Sequence, residues 1–145
     1  MEPMTNEEKK KFLRGYRDSL RRMVRIESEI EELRAMKMGA SAGGGGVGRK
    51  GWTDDLSSFA ARLDELERDK GEELGKAMRA YERVMEAIES VEDEREQDLL
   101  FYRYVKGTPW QKVADRMGYS DSWVYKARRR AMENLKIPKE YIEIQ

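Results

Sequence analysis

The sequence predicts an all-α protein: a long antiparallel helical hairpin of coiled-coil type, followed by a small three-helix helix-turn-helix module. Three observations carry this. Apolar residues recur at spacings of three and four through two long stretches, a glycine-rich segment separates them, and residues 109–130 read as two short helices around a tight turn. Charged residues make up 40% of the chain and hydrophobic ones only 39%. That balance favours long exposed helices, because a large globular core needs more apolar area to offset conformational entropy.

The first helix is expected from Thr5 to about Met38. Thr5 and Glu8 form a capping-box pair, and Phe12, Tyr16, Leu20, Met23, Ile26, Ile30, Leu33 and Met36 draw one apolar stripe. Such a helix would be roughly 50 Å long at 1.5 Å per residue, and its stripe demands a partner. Residues 39–51 hold seven glycines and read as a flexible loop. The pattern G-x-G-x-x-G occurs in it twice, at Gly43, Gly45, Gly48 and at Gly46, Gly48, Gly51, but neither copy follows a strand, as a dinucleotide site requires.

The second helix is expected over 53–92, with Thr53 as its cap and Asp54 and Asp55 at the positive end of its dipole. Leu56, Phe59, Leu63 and Leu66 open its stripe. Gly71 and Gly75 bracket a break, after which the stripe resumes at Leu74, Met78, Tyr81, Met85 and Ile88, with Val84 and Val91 beside it. The shift reads as a stutter or bend. The outer faces are charged, the first basic along Lys9, Lys10, Arg14, Arg17, Arg21, Arg22 and Arg25, the second acidic. Pairing within one chain and pairing between two chains use the same residues. The Met and Tyr residues of the stripe are read as core.

Residues 93–137 form the expected module. Leu99, Leu100, Phe101, Tyr104 and Val105 mark a supporting helix that Gly107 ends. Thr108, Pro109 and Gln111 then read as a capping box with proline at the first helical position, and Gly118 ends that helix. Ser120 or Asp121 can cap the next, which should stop before Pro138. Trp110, Val113 and Met117 would share a small core with Val124 and Ala127, with Ala114 at the crossing. In such a unit the second helix faces the DNA major groove. The candidate base-contacting residues are Ser120, Ser122, Tyr125, Lys126 and Arg129, and the candidate phosphate contacts are Arg116, Arg128 and Arg130. Trp123 and Tyr125 make this helix aromatic and leave its base preference open. The tail, 138–145, has no clear period and either docks on the hairpin or frays.

Asp93-Glu94-Arg95-Glu96, then Leu99, Leu100, Arg103-Tyr104-Val105, Gly107, the helix-turn-helix and Arg130-Ala131 with Leu135, resembles region four of bacterial sigma factors. It is still more similar to small sigma-like phage late-gene regulators of the RinA and ArpU type. The resemblance covers residues 93–137; the rest matches in layout alone. It implies a DNA-binding transcription regulator working in the cytoplasm of a bacterial host, with Tyr125, Lys126 and Arg129 as DNA contacts and RNA polymerase as a further partner. The hairpin would serve self-association, a dimer before other oligomers, or polymerase contact. Two alternatives stay open: a small DNA-recognition subunit of a phage packaging terminase, and a helical adaptor that grips RNA polymerase without touching DNA.

Composition excludes much else. The chain has no cysteine and no histidine, which removes disulfides, the usual zinc sites and Ser-His or Cys-His nucleophile pairs. No enzyme, cofactor or metal is expected. No apolar run reaches membrane-spanning length, and the first residues lack the order of a secretion signal. Net charge is zero, yet residues 99–145 carry 10 Lys/Arg against 5 Asp/Glu, while 54–98 carry 7 against 16 and 1–53 carry 12 against 8. Local field, screened within about 8–10 Å, governs DNA contact more than the total does.

Overall fold

Six α-helices and one π-helical segment make up the described residues, 4–42 and 50–143 of a computed structural model, with no strand among them. Helix α1 spans Asn6–Ala42 and α2 spans Lys50–Glu89. Thr5 starts α1 as expected, its Oγ accepting the Glu8 N–H at 3.2 Å. Helix α1 outruns its expected end, whereas α2 starts before 53 and stops at Glu89, short of 92. A single glycine among alanine and serine costs about 1 kcal/mol at most against continued helical bonding, so Gly39 does not stop α1. Likewise α2 begins at Lys50, ahead of the expected Thr53 cap. Most of the glycine-rich segment, residues 43–49 with their paired glycine patterns, lies outside the described residues.

The packing divides into two compact units, and not at 92/93: one is Ser19–Gly75, the other Met1–Asp18 with Lys76–Gln145. In the Ser19–Gly75 unit, ion pairs join Arg22 to Glu73 (3.0 Å), Glu27 to Lys70 (3.2 Å), Glu29 to Arg62 (2.7 Å) and Arg34 to Glu67 (2.9 Å). Rising numbers on α1 meet falling numbers on α2, which is the antiparallel hairpin. Each helix contributes both signs of charge, so the expected opposition of a basic and an acidic helix is replaced by a mixed seam within one chain. Three of these pairs are well exposed at both ends and add little stability. Glu73 differs, being only 9% exposed, and its partner Arg22 also donates to the buried Ser19.

The seam of α2 holds its register. Leu66, Glu73, Ala77, Val84 and Ala87 are buried and fall on one unbroken alternation of three and four, with Lys70 and Ala80 filling the remaining seam positions half-buried. The stutter expected at Gly71 and Gly75 is absent from this alternation, and both glycines are helical. Leu74, Met78 and Tyr81, expected in the stripe, are exposed, as is Met36 on α1. The physical reason is plain: a carboxylate and an alanine occupy core positions, and the stronger hydrophobes sit one position away.

In the other unit the bases of both long helices share a core with the C-terminal module. Phe12, Leu13, Val84, Ala87, Ile88 and Val91 pack in one cluster with Leu99, Leu100, Val105, Val113, Val124, Ala127, Ala131 and Leu135. Asp93 caps α3 (Glu94–Leu100) by accepting the Arg95 N–H, and the chain continues as a π-helical segment, Phe101–Val105, closed by a Lys106 N–H to Phe101 O bond of 3.0 Å. Gly107 then turns at φ 74°. Helix α4 is Trp110–Met117 and α5 is Asp121–Asn134. The tail docks: a short α6, Glu140–Glu143, carries Tyr141, whose ring stacks with Phe12 and lies under Arg83 while its hydroxyl donates to Glu86.

Candidate nucleic-acid interface

The turn between α4 and α5 is built by two residues. Gly118 ends α4 in the left-handed region at φ 75°, and its N–H reaches back to Ala114 O. Ser120 stays extended and its Oγ accepts the Trp123 N–H at 3.1 Å, capping α5. The expected capping box on α4 does not form. Pro109 is itself extended (φ −61°, ψ 146°) and stands outside the helix as a cap without a side-chain bond, so Thr108 lies one position too early. Its N–H instead donates to Tyr102 O at 2.9 Å and completes the π-helical exit. Val113 and Ala114 of α4 are buried against α5, where Val124 and Ala127 are buried too. Small side chains at 114 and 127 let the helices cross closely.

This crossing leaves one face of α5 open. Ser122, Tyr125, Lys126 and Arg129 are spaced by three and four, share that face and are all exposed, Tyr125 by 68%. Arg130 and, at the end of α4, Arg116 are exposed as well. Ser120 is exposed, but its hydroxyl oxygen is already engaged as the cap. Arg128 is placed differently from the other expected phosphate contacts. It is half-buried, with its guanidinium 5.2 Å from the Trp110 ring and 5.1 Å from the Tyr125 ring. Cation–π attraction to two rings fixes it. Trp123, grouped by sequence with Tyr125, turns away from the open face: it packs on the core, stacks with Tyr119 at 4.3 Å and lies under the Arg95 guanidinium at 5.7 Å.

Several supports of α5 come from residues the sequence had assigned to the hairpin's outer face. Lys9 Nζ donates to Met132 O (2.8 Å) and to Glu133 O (3.4 Å), placing a cation at the negative end of the α5 dipole. Partial burial of Lys9 there lowers its pKa, with Glu133 opposing the shift. Arg17 donates to Val105 O at 3.5 Å, and its guanidinium crosses so close to Gly107 that a Cβ would meet it at 2.8 Å. Asn134 donates to the buried Glu96. Ser90 Oγ accepts the Lys136 N–H at 3.0 Å and Gln97 donates to Val91 O, which ties the segment after α5, and α3, to the residues that follow α2.

Beside the open face lies a groove of about 340 Å³. Its walls are Tyr125, Arg128 and Arg129 of α5, Trp110 of α4, Arg103 and Tyr104 of the π-helical segment, and Asn6, Lys10 and Arg14 of α1. Burial raises the pKa of the Tyr104 hydroxyl, the surrounding arginines notwithstanding. Sequence reasoning missed Lys10, Arg14 and Arg103 as site residues; the basic run at the start of α1 signalled the first two, and nothing in the sequence set Arg103 apart. Among the described residues no cluster of three or more acidic side chains could hold a metal ion, and no helix is long and apolar enough to cross a membrane. Compared with known proteins, the chain matches no family model, no curated protein and no solved structure.

Proposed function

We propose that the protein is a sequence-specific duplex-DNA-binding transcription regulator of the phage type, reading the major groove with α5. The observation that carries this is the open face of α5: Ser122, Tyr125, Lys126 and Arg129 stand clear of the core on a helix whose entry angle is set by Gly118 and the Ser120 cap. Arg129 and Lys126 have the chemistry for guanine, Tyr125 and Ser122 for mixed polar and apolar base edges. Arg116 and Arg130, free on either side, suit phosphates, and the ten cations against five carboxylates in residues 99–145 supply the attracting field. Ser120 contributes as a positioning residue. The hairpin serves self-association or contact with RNA polymerase.

Selection of bound fragments from a random duplex pool tests the reading. Arg129→Ala should lose about 1–3 kcal/mol on the selected site and relax preference at one base pair. Equal losses on selected and random DNA would remove the base-reading role. One observation favours a self-associating form: Met78 and Tyr81, three residues apart on α2, are 60% and 41% exposed. Sedimentation should then report a dimer that Met78→Lys disperses, whereas a ring of many copies would favour the packaging role.

A further inference from the structure

The groove beside α5 concentrates positive charge. Lys10, Arg14, Arg103, Arg128 and Arg129 converge on it from three separate elements, and no carboxylate is among the side chains that line it. Like charges brought together in this way repel, and their summed field attracts an anion that would relieve the repulsion. Lys10 has Glu7 at 3.4 Å, a surface pair of small worth that leaves the remaining cations uncompensated. A second, independent observation concerns Arg103. Its Nε is fully buried yet has no hydrogen-bond partner, although the same guanidinium is held 5.4 Å from the Trp110 ring and donates to Thr108 O at 3.4 Å. These contacts hold the Arg103 guanidinium on the groove wall, where no carboxylate lines the site to neutralise it.

We infer that this groove binds phosphate oxyanions, and that the anion it takes in function is a backbone phosphate of the duplex whose bases face α5. This deepens the DNA-binding reading and rests on it for the source of the phosphate, though not for the site. Arg129 belongs to both surfaces, so a strand lying along α5 runs directly over the groove mouth. The consequence is that α1 joins the interface. Arg14 and Lys10 become phosphate contacts far in sequence from the helix-turn-helix, and they fix the duplex relative to the base of the hairpin.

Titration of the full chain with duplex DNA over a range of salt concentrations tests this, alongside titration with inorganic pyrophosphate, each followed by the side-chain Nε–H resonances of Arg14 and Arg103. Arg14→Ala and Lys10→Ala should each flatten the slope of log affinity against log salt by about one, equally on selected and random DNA. Pyrophosphate should shift the same Arg14 and Arg103 resonances as DNA does. Arg14 is exposed, so its removal leaves the fold intact, and Arg14→Glu should weaken binding further. If Arg129→Ala weakens DNA binding while Arg14→Ala and Lys10→Ala change neither affinity nor slope, the groove assignment fails and the DNA reading survives. If pyrophosphate shifts both arginines but no duplex binds, the site stands with a free phosphoanion as its ligand, and the DNA reading falls. Silence in both titrations overturns both.

Discussion

Gly118 decides the angle at which α5 leaves α4, because its φ of 75° is one that side chains with a Cβ adopt only under strain. Open space surrounds it, so Gly118→Ala tests backbone strain alone; a loss of about 1–2 kcal/mol in denaturant unfolding is expected, with DNA affinity falling as the turn relaxes. Ser120→Ala should cost about 1 kcal/mol through the lost cap. These two residues were legible in the sequence because turn and cap chemistry is local. Thr108 was misread for an equally local reason, the extended backbone of Pro109. Asp93 offers a pH test. The Arg95 side chain and backbone N–H hold its carboxyl below the ordinary carboxylate range, so the folded state binds fewer protons than the unfolded chain in that window. Stability from this contact is therefore present above about pH 4 and lost as pH falls further, and urea midpoints of the wild type and Asp93→Asn should converge at acid pH.

At the scale of elements, the two long helices follow a heptad rule that the sequence partly concealed. Glu73 and Ala77 hold seam positions between Leu66 and Val84, so a reader following hydrophobicity steps onto Leu74 and infers a stutter that does not exist. Register is set by which positions face the partner helix, and a carboxylate can keep it when a cation such as Arg22 reaches it. Glu73→Leu should accordingly raise Tm, since Arg22 can turn to solvent and the new side chain completes the seam. Gly71→Ala should add about 0.5–1 kcal/mol, because the position is helical, exposed and free of neighbours within 4 Å. A fall in Tm on either change would mean that α2 needs local softness there.

Taken as a whole, the molecule joins its C-terminal helical module to the bases of both long helices through one hydrophobic core. The module was readable because its helices, turn and charge lie within some forty consecutive residues. The groove was not. It needs Lys10 and Arg14 beside Arg128 and Arg129, and only tertiary packing brings residues so far apart in sequence together. Lys9, which bonds carbonyls in the last turn of α5, shows the same dependence; Lys9→Met should lower stability and, on the proposed function, DNA affinity, since it frees the far end of α5. The most direct test of the whole account is a two-dimensional NMR titration of the full 145-residue chain with its selected duplex. The resonances of Ser122, Tyr125, Lys126 and Arg129 should move first and furthest, with those of the Ser19–Gly75 unit nearly still. Movement confined to that unit, or none at low salt, would contradict the assignment of α5 as the element that meets DNA.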